Sequence, residues 1–366
     1  MNVTTRGRLR SVLLPPWLDG SGPENEIVVS TRIRLARNLK SHPFPPHASP
    51  GERTRVFETV SRTLHCCPGR GTFRAVNFSA LSCIDQKYLV ERRIASPDLL
   101  GIDGDRGVVY HDTSGIAVMI NEEDHLRLQC IMSGCRPMES WSVLDRLDDE
   151  LGRALEFAFD RRRGFLTCCP TNSGTGLRVS FLVHLPALVL TKAIDPVLQG
   201  ATLLGIAVRG FFGEHSEVVG GFFQLSNQAT MGAQEQEVIA SAEKTVREIV
   251  ACEKRARQRL CREARVELCD KIYRAFGILA YARTLSLPEF LNCVSALRLG
   301  IDTGLFSEVS LRGLNAATLA VMPAHLQKFA KRELDENALS ILRAERVRAL
   351  LCKKHGAPRT RTPGKT

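Results

Sequence analysis

The sequence predicts a β-sheet with flanking helices, of the α+β or α/β class, followed by an all-helical carboxy-terminal region. From about residue 26 to 228, short apolar runs separated by turn residues are typical of strands. Within this stretch, apolar residues recur at helical spacing at about 52–65, 79–94 and 138–162, which predicts three helices. The strand-like runs include residues 27–29, 115–120, 178–183, 205–208 and 221–225.

The carboxy-terminal third has a helical pattern throughout. No proline interrupts the helical spacing between Met231 and Tyr281, so one or two long helices are expected there. Ser286 and Pro288 then favour a helix start, since serine caps a helix and proline is tolerated in its first turn. The predicted divisions are an extension at 1–25, a sheet-containing domain at 26–255, a helical domain at 256–352 and a disordered basic tail at 353–366.

The composition is that of an ordinary soluble globular protein. Of its 366 residues, 44% are hydrophobic and 24% are charged, which favours packed domains over disorder. The sequence contains no run of 18 apolar residues and no secretory signal pattern, so we expect a cytoplasmic protein that does not bind membranes. Its twelve cysteines are then expected to be reduced thiols. The adjacent pairs at 66–67 and 168–169 lack the spacing of zinc sites, so no metal site is expected.

The formal net charge of +11 is compatible with either a nucleic acid or a nucleotide as ligand. Many arginines lie in strand-like segments beside glycines and carboxylates, and few aromatic residues are interleaved with them for base stacking. We therefore expect no nucleic-acid partner, and instead a polyanion as small as a nucleotide, which needs the same charge.

Four segments contain the candidate site residues, and the first is S-T-R-I-R-L-A-R-N, which begins at Ser30. On a strand, Arg32 and Arg34 point to the same face because side chains alternate with period two. Two arginines on one face repel each other unless an anion lies between them. Solvent exposure or ion pairing is the alternative explanation of this pattern.

The second segment is M-I-N-E-E-D-H-L-R. If it is a strand, Glu123, His125 and Arg127 lie on one face, and Glu122 and Asp124 lie on the other. A carboxylate and an arginine then share a face, which suits a catalytic site. An ordinary ion pair is the alternative.

The third and fourth segments are glycine-rich. C-C-P-T-N-S-G-T-G-L-R, at 168–178, predicts a polar turn whose backbone N–H groups a ligand can approach closely, with a plain hairpin as the alternative. R-G-F-F-G-E-H-S-E, at 209–217, predicts a mobile lid that carries arginine and carboxylates, with a surface loop as the alternative. The sequence has neither a P-loop nor the protein-kinase signatures.

In this order, the four segments resemble the successive signatures of the guanidino phosphotransferase (phosphagen kinase) family, which includes arginine and creatine kinases. The resemblance covers residues 26 to about 240. More narrowly, E-R-R-I-A-S-P, H-L-P-A-L and Q-L-S-N-Q-A-T-M-G are similar to segments of the bacterial protein-arginine kinases. The resemblance implies an α+β catalytic domain with an antiparallel-rich sheet at 26–255, followed by the helical domain.

This resemblance also implies an ATP-dependent enzyme, with Mg²⁺ held mainly by the nucleotide phosphates and water. The expected acceptor is the arginine side chain of a protein, which is thereby marked for degradation or regulation. Arginine and creatine kinases have a helical domain before the S-T-R motif that helps to enclose a small substrate, whereas here the motif begins at Ser30. A kinase of a small guanidino metabolite and a non-catalytic adaptor that keeps the fold are the alternatives.

The resemblance assigns roles to individual residues. Glu123 and Glu214 match the carboxylates that bind the acceptor guanidinium, with Glu123 as the base, and Cys169 matches the cysteine that contacts it. Arg93 replaces the histidine that the family usually has at a nucleotide-contacting position. The expected nucleotide-binding residues are Ser30, Thr31, Arg32, Ile33, Arg34, Arg93, Arg127, Arg178, Val179, Ser180, Arg209, Gly210 and Gly213.

The bacterial protein-arginine kinases also carry a carboxy-terminal R-D-x-x-R-A motif that forms a phosphoarginine-binding pocket. Its best match here begins at Ala344, keeps Glu345 and Arg348 as candidate allosteric residues, and lacks the first arginine. Weak or absent stimulation by phosphoarginine is therefore expected. The resemblance further implies a homodimer, with a Clp-type protease and an activator protein as partners.

Overall fold

An eight-stranded antiparallel sheet forms the centre of the protein, in the order β2-β3-β4-β5-β1-β8-β10-β9. The computed structural model describes residues 14–66, 73–102, 104–210 and 219–351. The sheet and its flanking helices confirm the predicted α+β class. The strands are β1 Val28–Arg37, β2 Arg74–Asn77, β3 Gly107–Tyr110, β4 Ile116–Ile120, β5 Leu126–Ser133, β6 Phe159–Asp160, β7 Gly164–Phe165, β8 Leu177–His184, β9 Ile206–Gly210 and β10 Phe222–Asn227, of which β6 and β7 form a separate pair.

The helices pack on both faces of the sheet and form the carboxy-terminal region. They are α1 Pro50–Cys66, α2 Cys83–Glu91, α3 Pro137–Ala154, α4 Pro186–Leu190, α5 Ile194–Leu203, α6 Glu235–Glu263, α7 Arg265–Tyr281, α8 Leu287–Asp302, α9 Leu311–Ala320, α10 Pro323–Ala330 and α11 Glu336–Leu351. Among the described residues, none of these helices is long and apolar enough to cross a membrane.

The alternation of side chains along strand β1 determines which face of the sheet contains the candidate site. It pairs antiparallel with β5 and β8, so that Arg34 lies opposite Gln129 on one side and Arg178 on the other. The alternate residues Ile33 and Leu35 are fully buried in the main core, together with apolar side chains of α1, α3 and α6. The period-two alternation therefore anchors one face of β1 in the core and leaves the arginines on the other face.

The helical region has a core of its own, built mainly from α7, α8, α9 and α11. Ser286 caps α8 as predicted, because its Oγ accepts a hydrogen bond from the Glu289 backbone at 3.3 Å. Helix α6 is 29 residues long and runs through residue 255, where the sequence predicted a domain boundary. The predicted basic tail at 353–366 and most of the extension at 1–25 lie outside the described residues.

A buried ion-pair network joins α6 to the neighbouring helices. The Glu253 carboxylate, which is fully buried, accepts hydrogen bonds from the backbone N–H groups of Ala187 and Leu188 at 3.1 and 3.0 Å. Arg257 donates to Glu253 at 2.8 Å and to Asp302 of α8 at 2.6 Å. Each buried charge thus has an opposite charge or an N–H group beside it, as burial requires.

Replacing Glu253 with alanine is expected to lower the free energy of unfolding by about 3–5 kcal/mol, because Arg257 would lose its fully buried carboxylate partner. Urea denaturation measures this change. The matched control is Glu263→Ala, since the Arg259–Glu263 pair has the same spacing on the same helix but is exposed. We expect no measurable change for the control, and equal effects of the two substitutions would contradict the assignment.

Candidate active site

A cavity of about 830 Å³ lies over the arginine-bearing face of the sheet. Its walls come from the sheet, from the loop after α2, from the turn at 169–172 and from the ends of α9 and α10. Eight predicted site residues line it: Arg32, Arg34, Arg93, Glu123, Arg127, Cys169, Arg178 and Arg209.

The floor of the cavity is a cluster of buried and half-buried guanidinium groups. Burial, followed by repulsion from neighbouring arginines, lowers the pKa of Arg32 to about 9, and the repelling groups belong to Arg93, Arg127 and Arg178. Burial and the same kind of repulsion hold the pKa of Arg34 well below its ordinary value, and within the described residues its buried Nε has no hydrogen-bond partner. Arginine keeps its charge at neutral pH, so these lowered pKa values indicate a site that a polyanion would stabilise.

One buried carboxylate offsets part of this charge. Glu122 forms an ion pair with Arg127 and accepts a hydrogen bond from the Ser96 hydroxyl. Burial alone would lower the pKa of Arg127, but the attraction of Glu122 outweighs it and raises that pKa. Asp98 lies 3.9 Å from the same guanidinium at the more exposed side of the cavity.

The segment N-E-E-D-H is a turn between β4 and β5, so the predicted strand alternation of its acids is wrong. Asn121 has a φ of +58° and anchors the turn by donating from Nδ2 to the backbone oxygens of Arg53 and Asp105, each at 2.8 Å. The ion pair with Arg127 consequently belongs to Glu122. Glu123 is left to line the cavity.

The rest of this turn is fixed by buried hydrogen bonds. The Asp124 carboxylate accepts from Asn38 Nδ2 at 2.6 Å and from the Cys168 backbone at 2.7 Å. His125 Nδ1 accepts from the Leu39 backbone at 3.1 Å, and burial lowers its pKa to about 4. A neutral, internally bonded imidazole has a structural role, and the turn is held rigidly against β1 and the loop at 168.

Glu123 and Cys169 face the cavity from adjacent turns. Glu123 accepts a hydrogen bond from Asn172 Nδ2 at 3.2 Å, and the surrounding protein, with Asp124 nearby, raises its pKa. Cys169 Sγ lies 3.0 Å from the Thr171 hydroxyl. Burial and the neighbouring Asp124 raise the pKa of the other cysteine, Cys168, so its thiolate is disfavoured. A carboxylate with a raised pKa opposite a cluster of cations suits proton removal beside phosphate binding.

Comparison with known proteins agrees with this geometry. Residues 55–256, more than half of the chain, match the family described as ATP:guanido phosphotransferase, C-terminal catalytic domain. The chain belongs to this family. Residues 265–361 match the family described as Protein-arginine kinase McsB C-terminal domain. The predicted family and the predicted class of enzyme, a phosphotransferase, are confirmed.

Curated relatives of this guanido phosphotransferase cover nearly its whole length. A protein-arginine kinase of Moorella thermoacetica is 42% identical over 92% of this chain and 97% of that protein. A protein-arginine kinase of Pelotomaculum thermopropionicum is 39% identical over 91% of this chain and 94% of that protein. The crystal structure of lombricine kinase aligns with a TM-score of 0.57 over 65% of this chain and 69% of that chain, at 23% identity, which shows the fold alone.

Several residues predicted to bind the nucleotide have their side chains elsewhere. Ile33 and Val179 are fully buried in the main core, because they alternate with the arginines along β1 and β8. Thr31 lies on that same face of β1 and donates from Oγ1 to the Gly134 backbone oxygen at 2.6 Å. These three side chains stabilise the fold. They do not line the cavity.

The remaining residues that were predicted to bind the nucleotide lie in different parts of the structure. Ser180 Oγ accepts a hydrogen bond from Arg32 Nε at 3.2 Å, so it orients an arginine that lines the cavity. Ser30 and Gly210 are buried and are not part of the described cavity wall. Gly213 and the second predicted carboxylate, Glu214, lie outside the described residues.

The sequence did not indicate Glu122, Ser96 or Trp17 as site residues. In the sequence, Glu122 is one of two adjacent acids, and only the geometry of the turn determines that Glu122 is the one that pairs with Arg127. Trp17, in a 3-10 turn at Pro16–Leu18, lies 5.0 Å from the Arg93 guanidinium, and Gln129 Nε2 donates to the Arg93 backbone oxygen at 2.8 Å. These contacts hold Arg93, whose φ is +59°, in a position that depends on distant parts of the chain.

The candidate allosteric residues lie on α11. Arg348 donates to the Ala282 backbone oxygen, and Glu345 is exposed. Ala344, which replaces the first arginine of the motif, is buried in the core of the helical region. Arg343 is fully buried and donates to the backbone oxygens of Val321 and Leu285 at 3.2 and 2.9 Å, so its guanidinium is engaged between helices.

Replacing Arg34 with methionine is expected to weaken ATP binding by roughly ten-fold or more, since charge-assisted hydrogen bonds to phosphate are lost. Without nucleotide, the variant should unfold at the same urea concentration as the unaltered protein or at a higher one, because a buried cation that neighbouring arginines repel is removed.

Isothermal calorimetry measures the affinity for ATP, and urea denaturation measures the stability without nucleotide. Inorganic tripolyphosphate should stabilise the unaltered protein more than it stabilises the variant. The exposed Arg161→Met substitution is the control and should change neither quantity. An Arg34→Met variant that is less stable without ligand and binds ATP normally would show that Arg34 is structural.

Proposed function

We propose that this guanido phosphotransferase transfers the γ-phosphoryl group of ATP, bound with Mg²⁺, to arginine side chains of other proteins. The observation that carries the proposal is that the arginine cluster and the Glu123 carboxylate line one cavity. The curated relatives named protein-arginine kinase support the choice of acceptor.

The arginine cluster has the charge and rigidity for phosphoryl transfer. In the transition state, negative charge spreads over the equatorial oxygens of the transferring group, and fixed cations stabilise it without reorganising. Arg32, Arg34 and Arg178 lie on adjacent central strands, so their positions are set before the nucleotide binds. Mg²⁺, coordinated by phosphate oxygens and water, neutralises further charge on the phosphates when bound.

We assign to Glu123 the role of binding the acceptor guanidinium and removing its proton. A guanidinium has a pKa above ~12 and is not a nucleophile until a nitrogen is aligned and loses its proton as the P–N bond forms. A carboxylate can align the group through two parallel hydrogen bonds and accept the proton. Asn172 holds one Glu123 oxygen at 3.2 Å, which limits the rotation of the carboxylate.

We assign a tuning role to Cys169, as a contact of the guanidinium and without covalent catalysis. Glu214 is proposed as the second carboxylate. The likeness to protein-arginine kinases also supports proposals that the chain acts in the cytoplasm as a homodimer, with a Clp-type protease and an activator protein as partners. Glu345 and Arg348 are proposed as remnants of a phosphoarginine site that responds weakly.

We expect the purified protein to form acid-labile phosphoarginine on a denatured casein-like protein faster than on free arginine in the presence of Mg-ATP. The reason is that a flexible protein segment can present its arginine to Glu123, whereas free arginine gains little from contacts beyond the guanidinium. Acid-labile phosphate on each acceptor is measured at equal arginine concentration. Faster transfer to free arginine would favour a kinase of a small guanidino metabolite.

Glu123→Gln is expected to lower the rate of transfer at least ~10²-fold while ATP still binds, because alignment and proton removal fail and the arginines remain. In the unaltered protein, kcat should fall as the pH drops through the raised pKa of Glu123, since only the ionised carboxylate accepts a proton. This acidic limb should lie at a higher pH than for an ordinary glutamate and be absent in the variant. Glu156→Gln, at an exposed pair with Lys40, is the control.

A further inference from the structure

A short hairpin beside the cavity ends in three consecutive arginines. Strands β6 and β7 form the hairpin, and residues 161–163 form its tip, here called the hairpin tip. Arg161, Arg162 and Arg163 are all exposed, and within the part of the chain that the structure describes none of them forms an ion pair. Binding of ATP and transfer of its phosphoryl group, as described above, do not use these charges.

Asp160 fixes the shape of the hairpin tip. Its Oδ1 accepts hydrogen bonds from the backbone N–H groups of Arg162 and Arg163, each at 2.9 Å. These bonds hold the turn, and the single carboxylate offsets only one of the three neighbouring positive charges. A tip with a defined backbone and a surplus of cations is suited to binding anionic groups.

Aromatic packing holds the base of the hairpin, because strands of two residues are too short to be stable alone. The Phe165 ring makes edge-to-face contacts with Phe157 and Phe159, with ring centroids 6.2 and 5.2 Å apart. The Arg37 guanidinium lies 3.5 Å from the centroid of the same ring, and Arg37 is itself paired with Asp148 of α3 at 2.7 Å. The hairpin is thus anchored on the end of β1 and on α3.

Backbone contacts also join the hairpin to the turn at 169–172, which lines the cavity. The Phe165 N–H group donates to the Gly174 oxygen at 2.8 Å, and the Gly174 N–H group donates to the Phe165 oxygen at 3.3 Å. A Cβ atom at Gly164 would lie 2.4 Å from the Gly174 oxygen, so this close approach requires glycine. Since Asn172 of the same turn contacts Glu123, the hairpin is fixed relative to the carboxylate that binds the acceptor.

The hairpin tip is close enough to meet residues that flank an acceptor arginine. Arg163 precedes Cys169 by six residues, and a chain of that length spans at most about 22 Å. Pro170 and Thr171, at the top of the turn, are exposed. An acceptor segment bound in an extended conformation advances by about 3.3 Å per residue. Side chains about four to six residues from the acceptor arginine are therefore within reach of the tip.

We propose that the hairpin tip binds acidic side chains of the protein substrate, a few residues away from the acceptor arginine. The proposal rests on the proposed function, because it takes Glu123 as the residue that binds the acceptor guanidinium. Charge complementarity identifies the partner, since the tip attracts carboxylates and repels segments that carry further arginines. The tip raises the affinity for substrates whose arginine lies near acids, and it does not touch the reacting atoms.

Kinetics with two synthetic peptides test this docking surface. Each peptide has one arginine with three serines on either side, followed at both ends by three aspartates in the first peptide and by three asparagines in the second. In the unaltered protein, the KM for the aspartate peptide should be roughly five-fold lower, with a similar kcat, because several exposed ion pairs form. The difference should shrink as the salt concentration rises.

The double variant Arg162→Glu/Arg163→Glu replaces attraction by repulsion, so its KM should be higher for the aspartate peptide than for the asparagine peptide. Its Kd for ATP and its rate of transfer to free arginine should be unchanged. Arg262→Glu/Arg265→Glu is the matched control, because these exposed arginines at the junction of α6 and α7 change the net charge equally. The control should keep the preference for aspartate. A preference that survives in the hairpin variant, or that is lost equally in the control, would overturn the proposal.

Direct binding separates this proposal from the proposed function. Fluorescence anisotropy of the labelled aspartate peptide, in the presence of Mg-ADP, measures docking without phosphoryl transfer. Binding that requires the hairpin tip but yields no phosphoarginine with Mg-ATP would contradict the proposed function and leave the docking surface standing. Phosphorylation of both peptides with equal KM would do the opposite. A labelled oligothymidylate that binds the tip more tightly than the peptide would indicate a nucleic-acid surface and would also overturn the proposal.

Discussion

Repulsion between clustered arginines is the constraint on which the rest of the site depends. Arg34 and Arg178 lie opposite each other on paired strands, and Arg32 is two residues away on the same face. Unscreened like charges would separate if the backbone could move. They stay together because β1 is hydrogen-bonded on both sides, to β5 and β8, and because Ile33 and Leu35 anchor its other face in the core. The fold therefore holds cations in place before the anion arrives, which is the preorganisation that phosphoryl transfer needs.

Two adjacent acids have different roles because one turn directs them apart. Glu122 turns inward, pairs with Arg127 and reduces the net charge that the sheet must tolerate. Glu123 faces the cavity, where Asn172 orients it and the surrounding protein raises its pKa. The positive φ of Asn121 and the bonds of Asp124 fix this turn, so residues that do not touch a substrate determine where the reactive carboxylate lies.

The helical region contacts the same cavity through the end of α2 and the loop that follows it. The Glu91 carboxylate accepts hydrogen bonds from the Ala324 backbone at 2.6 Å and from His325 Nδ1 at 2.6 Å, at the amino-terminal end of α10. Two residues further on, Arg93 joins the arginine cluster. One short loop therefore connects a helix of the carboxy-terminal region to the phosphate end of the cavity, while Leu319 and Met322 reach the other end directly.

The sequence by itself determined what depends on neighbours along the chain. The alternation in β1 predicted that Arg32 and Arg34 share a face, and the local cap at Ser286 predicted the start of α8, because both follow from backbone geometry over a few residues. The tertiary structure decided which acid pairs with Arg127 and that Trp17 lies beside Arg93. Those outcomes depend on a turn conformation and on contacts between segments far apart in the chain, and no local pattern encodes the distance between such segments.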